Sequence, residues 1–130
     1  IALMEMAKLL STTQQTISLD TIMNAITQRE EMMSTGIGQG LAIPHARLDN
    51  IHHAEISIGI SKEGISNYES LDNSLIHIIV MIIAPAGKHE TYIRLLAAVS
   101  EVLKEKDLRE TIISSNKVEV VYNILCGLAL

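Results

Sequence analysis

The run Leu75-Ile76-His77-Ile78-Ile79-Val80-Met81-Ile82-Ile83-Ala84 constrains this chain more than any other stretch. It contains no Asp, Glu, Lys or Arg, is rich in β-branched residues, and stops at the turn Pro85-Ala86-Gly87. Such a run reads as a strand buried on both faces, and a strand of that kind needs cover on two sides of a sheet. Extended to Ala86 it still falls short of the roughly 20 apolar residues of a membrane helix. Nothing in the sequence reads as a secretory signal. The expectation is a soluble, cytoplasmic protein that does not itself insert into a membrane.

The remaining pattern supplies the cover. Ile1 to Leu10 reads as the tail of a helix and Ser11 to Thr16 as a loop. Ser18 is placed as an N-cap with Asp20 in the first turn, and Leu19, Ile22, Met23 and Ile26 follow at helical spacing, with Arg29, Glu30 and Glu31 a solvated end near Met33. From Ala54 to Ile60, the apolar residues Ile56, Ile58 and Ile60 alternate with Ser57 and Gly59, the pattern of a half-buried strand. Ser66 to Asn73 is a polar connection. After the turn at Pro85, residues Tyr92, Leu95, Leu96, Val99, Val102 and Leu103 form one stripe of a long amphipathic helix, and two shorter helices are expected over Asp107 to Ser114 and Val118 to Cys126. The sum is one α/β domain, a sheet with helices packed on it. Because the chain opens at Ile1 inside an apolar helical pattern, it reads as a domain excised from a larger protein or one lacking its N-terminal strand.

Composition removes several function classes. There is no Trp or Phe and only three Tyr, so an aromatic platform for single-stranded nucleic acid is not available. A net charge of −5 with scattered basic residues argues against a nucleic-acid partner altogether. The single cysteine, Cys126, sits among Ile124, Leu125 and Leu128, where an inert buried thiol is expected. His52-His53 reads as a surface turn, and His77 as either a hydrogen-bonded core residue or one facing the site. No histidine spacing suggests a metal site, and no serine or cysteine pattern suggests a hydrolase.

The stretch that carries chemistry is Ser34-Thr35-Gly36-Ile37-Gly38-Gln39-Gly40-Leu41-Ala42-Ile43-Pro44-His45-Ala46-Arg47. Alternating Gly36, Gly38 and Gly40 allow backbone N–H groups to approach an anion, which marks them as candidate phosphate-binding positions. Pro44 stiffens the chain before His45. In an extended segment Arg47 shares a face with His45, setting a guanidinium beside an imidazole. Glycine-rich loops are common, and this one fits neither the P-loop nor the dinucleotide pattern.

The same string closely resembles the active-site motif of the fructose/mannitol-type enzyme IIA of the sugar phosphotransferase system, including its nitrogen-regulatory branch. The resemblance extends through Arg29-Glu30-Glu31, Leu71-Asp72, the strand ending Ala84-Pro85 and the helix beyond. It implies a single mixed β-sheet flanked by helices on both faces, with residues 1–130 forming one domain. It also implies a phosphotransferase component in which His45 accepts a phosphoryl group from the phosphocarrier protein HPr and passes it to a IIB domain, or holds it as a signal to a regulated transporter or effector. No cofactor or metal is implied. Arg47 matches a basic position beside the histidine. Family members carry a second active-site histidine near the start of the long helix; Tyr92 stands there in this chain, with His89 three residues earlier on the same helix face. Either can hydrogen-bond the phosphate, and His89 reads alternatively as a solvated helix-entry residue. Gln39 stands where the family often has Asn, and Ala46 where it often has Gly.

Overall fold

The structure, a computed structural model, describes residues 2–13, 18–32, 36–49, 51, 53–66, 68, 70, 72–87 and 89–114. The expected helix over Val118 to Cys126, with Cys126 itself, lies outside them, as do His52 and Leu71. The chain divides into two compact units, Ile1–Lys88 and His89–Leu130.

The first unit begins with α1 (Ala2–Thr13) and α2 (Leu19–Met32). Helix α1 runs on through part of the expected loop, where the Ser11 hydroxyl donates back to the Lys8 carbonyl at 2.8 Å. Ser18 caps α2 as expected: its Oγ accepts from Thr21 N at 3.2 Å and its carbonyl from Ile22 N at 3.2 Å. Ile22 and Ile26, both fully buried, contribute about 1.5–3 kcal/mol each by leaving water.

Five strands follow: β1 (Gly36–Gly38), β2 (Leu41–Ala42), β3 (His45–Leu48), β4 (Glu55–Ile65) and β5 (Ile76–Pro85). Strand β5 is the apolar run, buried along nearly its whole length, and all but β1 pair with it. β2 and β3 lie parallel to it at Ile78–Ile79 and at Ile82–Pro85, β4 lies antiparallel, and β1 is antiparallel to β2. The sheet is therefore mixed. β2 and β3 form one line along β5, broken at Ile43-Pro44, because proline has no N–H for a ladder.

One face of this sheet carries the core under α1 and α2, built from Met6, Leu10, Ile22, Ile26, Ile79, Met81 and Ile83 among others. Strand β4 presents its small residues to this core. Ser57 and Gly59 pair with Met81 and Ile79 and so lie on the core face, whereas Ile56, Ile58 and Ile60 share the other face with Ile82, Val80 and Ile78. Ser57 is buried, Ile56 and Ile58 are half-buried, and Ile60 is 37% exposed. The reason is close approach of α1: a Cβ on Gly59 would stand 3.0 Å from Met6 Sδ. Alternation identified the strand, and its isoleucines lie on the face that carries the buried Ile78, Val80 and Ile82. β4 also runs five residues beyond the expected end, through an irregularity between Ile60 and Ile65 with Gly64 at φ +91°.

The second unit contains α3 (His89–Leu103) and α4 (Lys106–Ser114). Tyr92, Leu95, Val99 and Leu103 of the expected stripe are buried, and Ile112 is buried on α4. Arg109 Nη1 donates to the Leu103 and Lys104 carbonyls at 2.9 and 2.6 Å, which satisfies the C-terminal end of α3.

Candidate functional site

His45 opens β3 directly after the break at Ile43-Pro44. Ala46 and Leu48 enter the core, so strand alternation turns His45 and Arg47 together to the opposite face, the shared face expected from their spacing. The Pro44 carbonyl accepts from Ile82 N at 2.9 Å, which ties the start of β3 to β5. Within this frame His45 Nδ1 lies 2.6 Å from the Ile43 carbonyl oxygen. A carbonyl only accepts, so Nδ1 carries the proton and Nε2 the lone pair in the neutral ring. The tautomer that the sequence could only require is thus set by a backbone group two residues away.

The ring is half-buried, and burial is the main cause that holds its pKa below the ordinary imidazole value. The hydrogen bond to Ile43 opposes this, Arg29 adds to it by charge repulsion, and Glu30 pulls upward. At neutral pH His45 is consequently a neutral base with its lone pair on Nε2. The charges that bear on it come from the last turn of α2, which packs on β3. Glu30 in turn accepts a 2.7 Å hydrogen bond from the Tyr68 hydroxyl. Arg29 and Glu30 were read from sequence as a solvated helix end; only the packing of α2 on β3 brings them to His45. Arg47 stays on the strand face as expected and is exposed, while the cation that acts on the ring's ionisation is Arg29.

The glycine-rich segment precedes this strand. Gly38, Gln39 and Gly40 all have positive φ (+94°, +60° and +79°) and form the tight turn of the β1–β2 hairpin. An anion does sit at this turn, but it is the chain's own Asp72. Its Oδ2 accepts from Gln39 N at 2.9 Å and its Oδ1 from Ser70 Oγ at 3.1 Å and Ser74 N at 3.0 Å. Gly40 N donates to Ser74 Oγ at 3.2 Å. A Cβ on Gly38 would lie 3.1 Å from Asp72 Oδ2, which is why glycine is needed there. Hydrogen bonds from the Ser74 hydroxyl, from Gln39 N and from Ser74 N, in that order, hold the Asp72 carboxyl far below the usual carboxylate range. Gly36 pairs with Ala42 and bridges Ser70. Gly38 and Gly40, expected as phosphate-binding positions with Gly36, lie in a turn closed on Asp72.

His77 is half-buried, with Nδ1 held by the Ser61 carbonyl at 2.8 Å, and His53 is exposed. A groove of about 200 Å³ beside His77 is lined by α1, β4 and β5 residues and does not include His45; it is smaller than ordinary small-molecule sites. Among the described residues no group of three His, Cys, Asp or Glu side chains could hold a metal ion, and no helix is long and apolar enough to cross a membrane. His89 and Tyr92 lie on the first turn of α3 in the second unit, where Tyr92 is buried.

His45 is thus a half-buried imidazole with Nδ1 held by a backbone carbonyl, on the strand face it shares with Arg47. Residues 2–126 match the family described as “Phosphoenolpyruvate-dependent sugar phosphotransferase system, EIIA 2”, and the chain belongs to that family of phosphotransferase components. It is 36% identical over 101 residues to the fructose-specific EIIABC component of Bacillus subtilis, covering 78% of this chain but 16% of that longer protein. Its structure resembles the nitrogen regulatory protein IIA-Ntr of Neisseria meningitidis (TM-score 0.86, 26% identity, 95% of this chain and 84% of that one). It also shares the fold of enzyme IIA mannitol as solved in complex with phosphorylated enzyme IIB mannitol from Escherichia coli (TM-score 0.80, 19% identity, 97% and 85%). The α/β class expected from sequence is the class of these structures, and the family match runs across both compact units.

Proposed function

We propose that this chain is a phosphohistidine carrier that accepts a phosphoryl group from HPr on Nε2 of His45 and passes it to a IIB domain. The observation that carries this reading is the 2.6 Å contact of His45 Nδ1 with the Ile43 carbonyl in a ring whose burial keeps it neutral. The Nε2 lone pair attacks the phosphorus of the donor's phosphohistidine. A new P–N bond forms as the donor's P–N bond breaks, and that bond's electron pair returns to the donor ring. Positive charge developing on the His45 ring is shared with the Ile43 carbonyl through the Nδ1 proton. Arg29 stabilises the equatorial oxygens, as in-line phosphoryl transfer requires. The reverse geometry hands the group to a nucleophile on IIB. The step uses no metal on this side.

The fused EIIABC relative supports a role as the cytoplasmic IIA part of a sugar transporter, and the mannitol IIA–IIB complex supports a IIB acceptor. The likeness to IIA-Ntr supports a second reading, in which the phosphorylation state of His45 controls binding to a transporter or other effector. In either case Arg47, His89 and Tyr92 are proposed to contact the phosphoryl group or the partner. The test is incubation with phosphoenolpyruvate, enzyme I and HPr, followed by mass spectrometry of acid-labile phosphate. Label on the peptide containing His45, lost in His45→Ala, is expected. A fully labelled His45→Ala protein would move the site elsewhere.

A further inference from the structure

We infer that Asp72 is a positioning residue for His45: by closing the β1–β2 turn it fixes the register of the segment whose Ile43 carbonyl selects the histidine tautomer. This deepens the phosphocarrier reading and rests on it only where phosphorylation is the readout.

The chain of contacts is continuous. Segment 70–74 runs beside the hairpin, with Ser70 bridging Gly36, Asp72 holding Gln39 N and Ser74 holding Gly40 N. The Asp72 carboxylate is itself fixed at both oxygens, through Oδ1 to Ser70 Oγ and Ser74 N and through Oδ2 to Gln39 N. The carbonyl of the clamped Gly40 then accepts from both His77 N (2.8 Å) and Ile78 N (3.0 Å) at the start of β5. From that point Leu41 and Ala42 lie in parallel register with Ile78 and Ile79, and the next residue is Ile43, whose carbonyl holds His45 Nδ1. Leu41, Ala42 and Ile43 are buried, so a shift at Gly40 is passed along the segment rather than absorbed in solvent.

The turn needs a clamp for a second reason. Three successive residues at positive φ include Gln39, whose side chain disfavours the left-handed region. Without the carboxylate, the Gln39 N–H loses an ionised acceptor and the backbone is released toward an ordinary conformation. Asp72 does this from 33 residues away in sequence. It is a positioning residue, acting on the reaction through Ser74, Gly40 and Ile43.

The test compares wild type, Asp72→Ala, Asp72→Asn and Ser74→Ala by ¹⁵N NMR of the His45 ring at a pH where it is neutral, and by the rate of phosphorylation from phospho-HPr. In Asp72→Ala the Nδ1–H form should give way to a mixture with the Nε2–H form, and acceptance should slow by about tenfold to a hundredfold, the scale of a small misplacement of a reacting group. Asp72→Asn, which retains one acceptor oxygen, should fall between. Ser74→Ala removes the acceptor of Gly40 N together with the hydroxyl's hydrogen bond to Asp72, and covers the case in which Asp72→Ala does not fold; a shift of the same sign is expected. A folded Asp72→Ala or Ser74→Ala protein with an unchanged tautomer ratio overturns the inference, even if its melting temperature has dropped. A tautomer shift in a protein that HPr never labels would instead sink the phosphocarrier reading and leave the positioning role standing.

Discussion

Replacing Gly59 by alanine tests which face of β4 meets α1. A methyl group at Gly59 would stand 3.0 Å from Met6 Sδ, 3.6 Å from its Cγ and 3.8 Å from its Cε. Favourable carbon contacts lie near 3.5–4.0 Å, so the sulfur has to retreat by about half an ångström or more. Met6 is 3% exposed and belongs to the core, so it has little room to do so. Overpacking of this kind costs about 1–3 kcal/mol. Gly59 does not have a positive φ, so alanine there also regains about 0.4–1 kcal/mol by restricting the unfolded chain. The net expectation is a loss of up to about 2.6 kcal/mol, read as a lower midpoint in urea at unchanged slope. In a Met6→Ala background, itself less stable by about 2–5 kcal/mol, the clash is gone and Gly59→Ala should become stabilising by about 0.4–1 kcal/mol. A change of the same sign and size in both backgrounds would refute the packing of Met6 on Gly59. So would stabilisation in the wild type.

Other substitutions probe the site and the same face. Ser57 Oγ is buried and, among the described residues, has no hydrogen-bond partner; Ser57→Ala should leave stability unchanged or raise it by about 1 kcal/mol in a denaturant titration. Arg29→Ala removes a cation that lowers the His45 pKa, so that pKa should rise in an NMR titration while acceptance from HPr slows by about tenfold to a thousandfold, as for loss of a charge-stabilising donor. Because the folded His45 pKa lies below its unfolded value, the unfolded chain binds more protons just below the ordinary imidazole pKa of about 6.5. His45 therefore reduces stability as pH falls through and below that value, and His45→Gln should flatten this part of a stability–pH profile. Exchanging Gln39 for asparagine, which tolerates the left-handed region better, should raise stability by a few tenths of a kcal/mol in thermal unfolding.

Much of the fold was legible because it is written in local pattern. The uncharged run became β5, Ser18 became the cap of α2, and the stripe from Tyr92 to Leu103 became the buried side of α3. The face of β4 was not legible, since period two says which residues share a face but not which face a helix will cover. There the close approach of α1 places Gly59 on the core face. At the site, His45 and its shared face with Arg47 followed from the motif and the strand period. Its tautomer, its lowered pKa and the presence of Arg29 and Glu30 depend on a break in the ladder at Pro44 and on α2 packing over β3. Both are tertiary facts. Nothing local pointed to Asp72 as the residue that closes the glycine-rich turn, because the polar connection that supplies it reads in sequence only as a loop.

The central claim is that Nε2 of His45 receives the phosphoryl group because Nδ1 is held by the Ile43 carbonyl. The direct measurement is ¹⁵N and ³¹P NMR of the protein with labelled histidine rings, before and after treatment with phosphoenolpyruvate, enzyme I and HPr. A neutral Nδ1–H ring is expected before treatment, and phosphate on Nε2 of His45 after it. Phosphate on Nδ1, or on another residue, would contradict it.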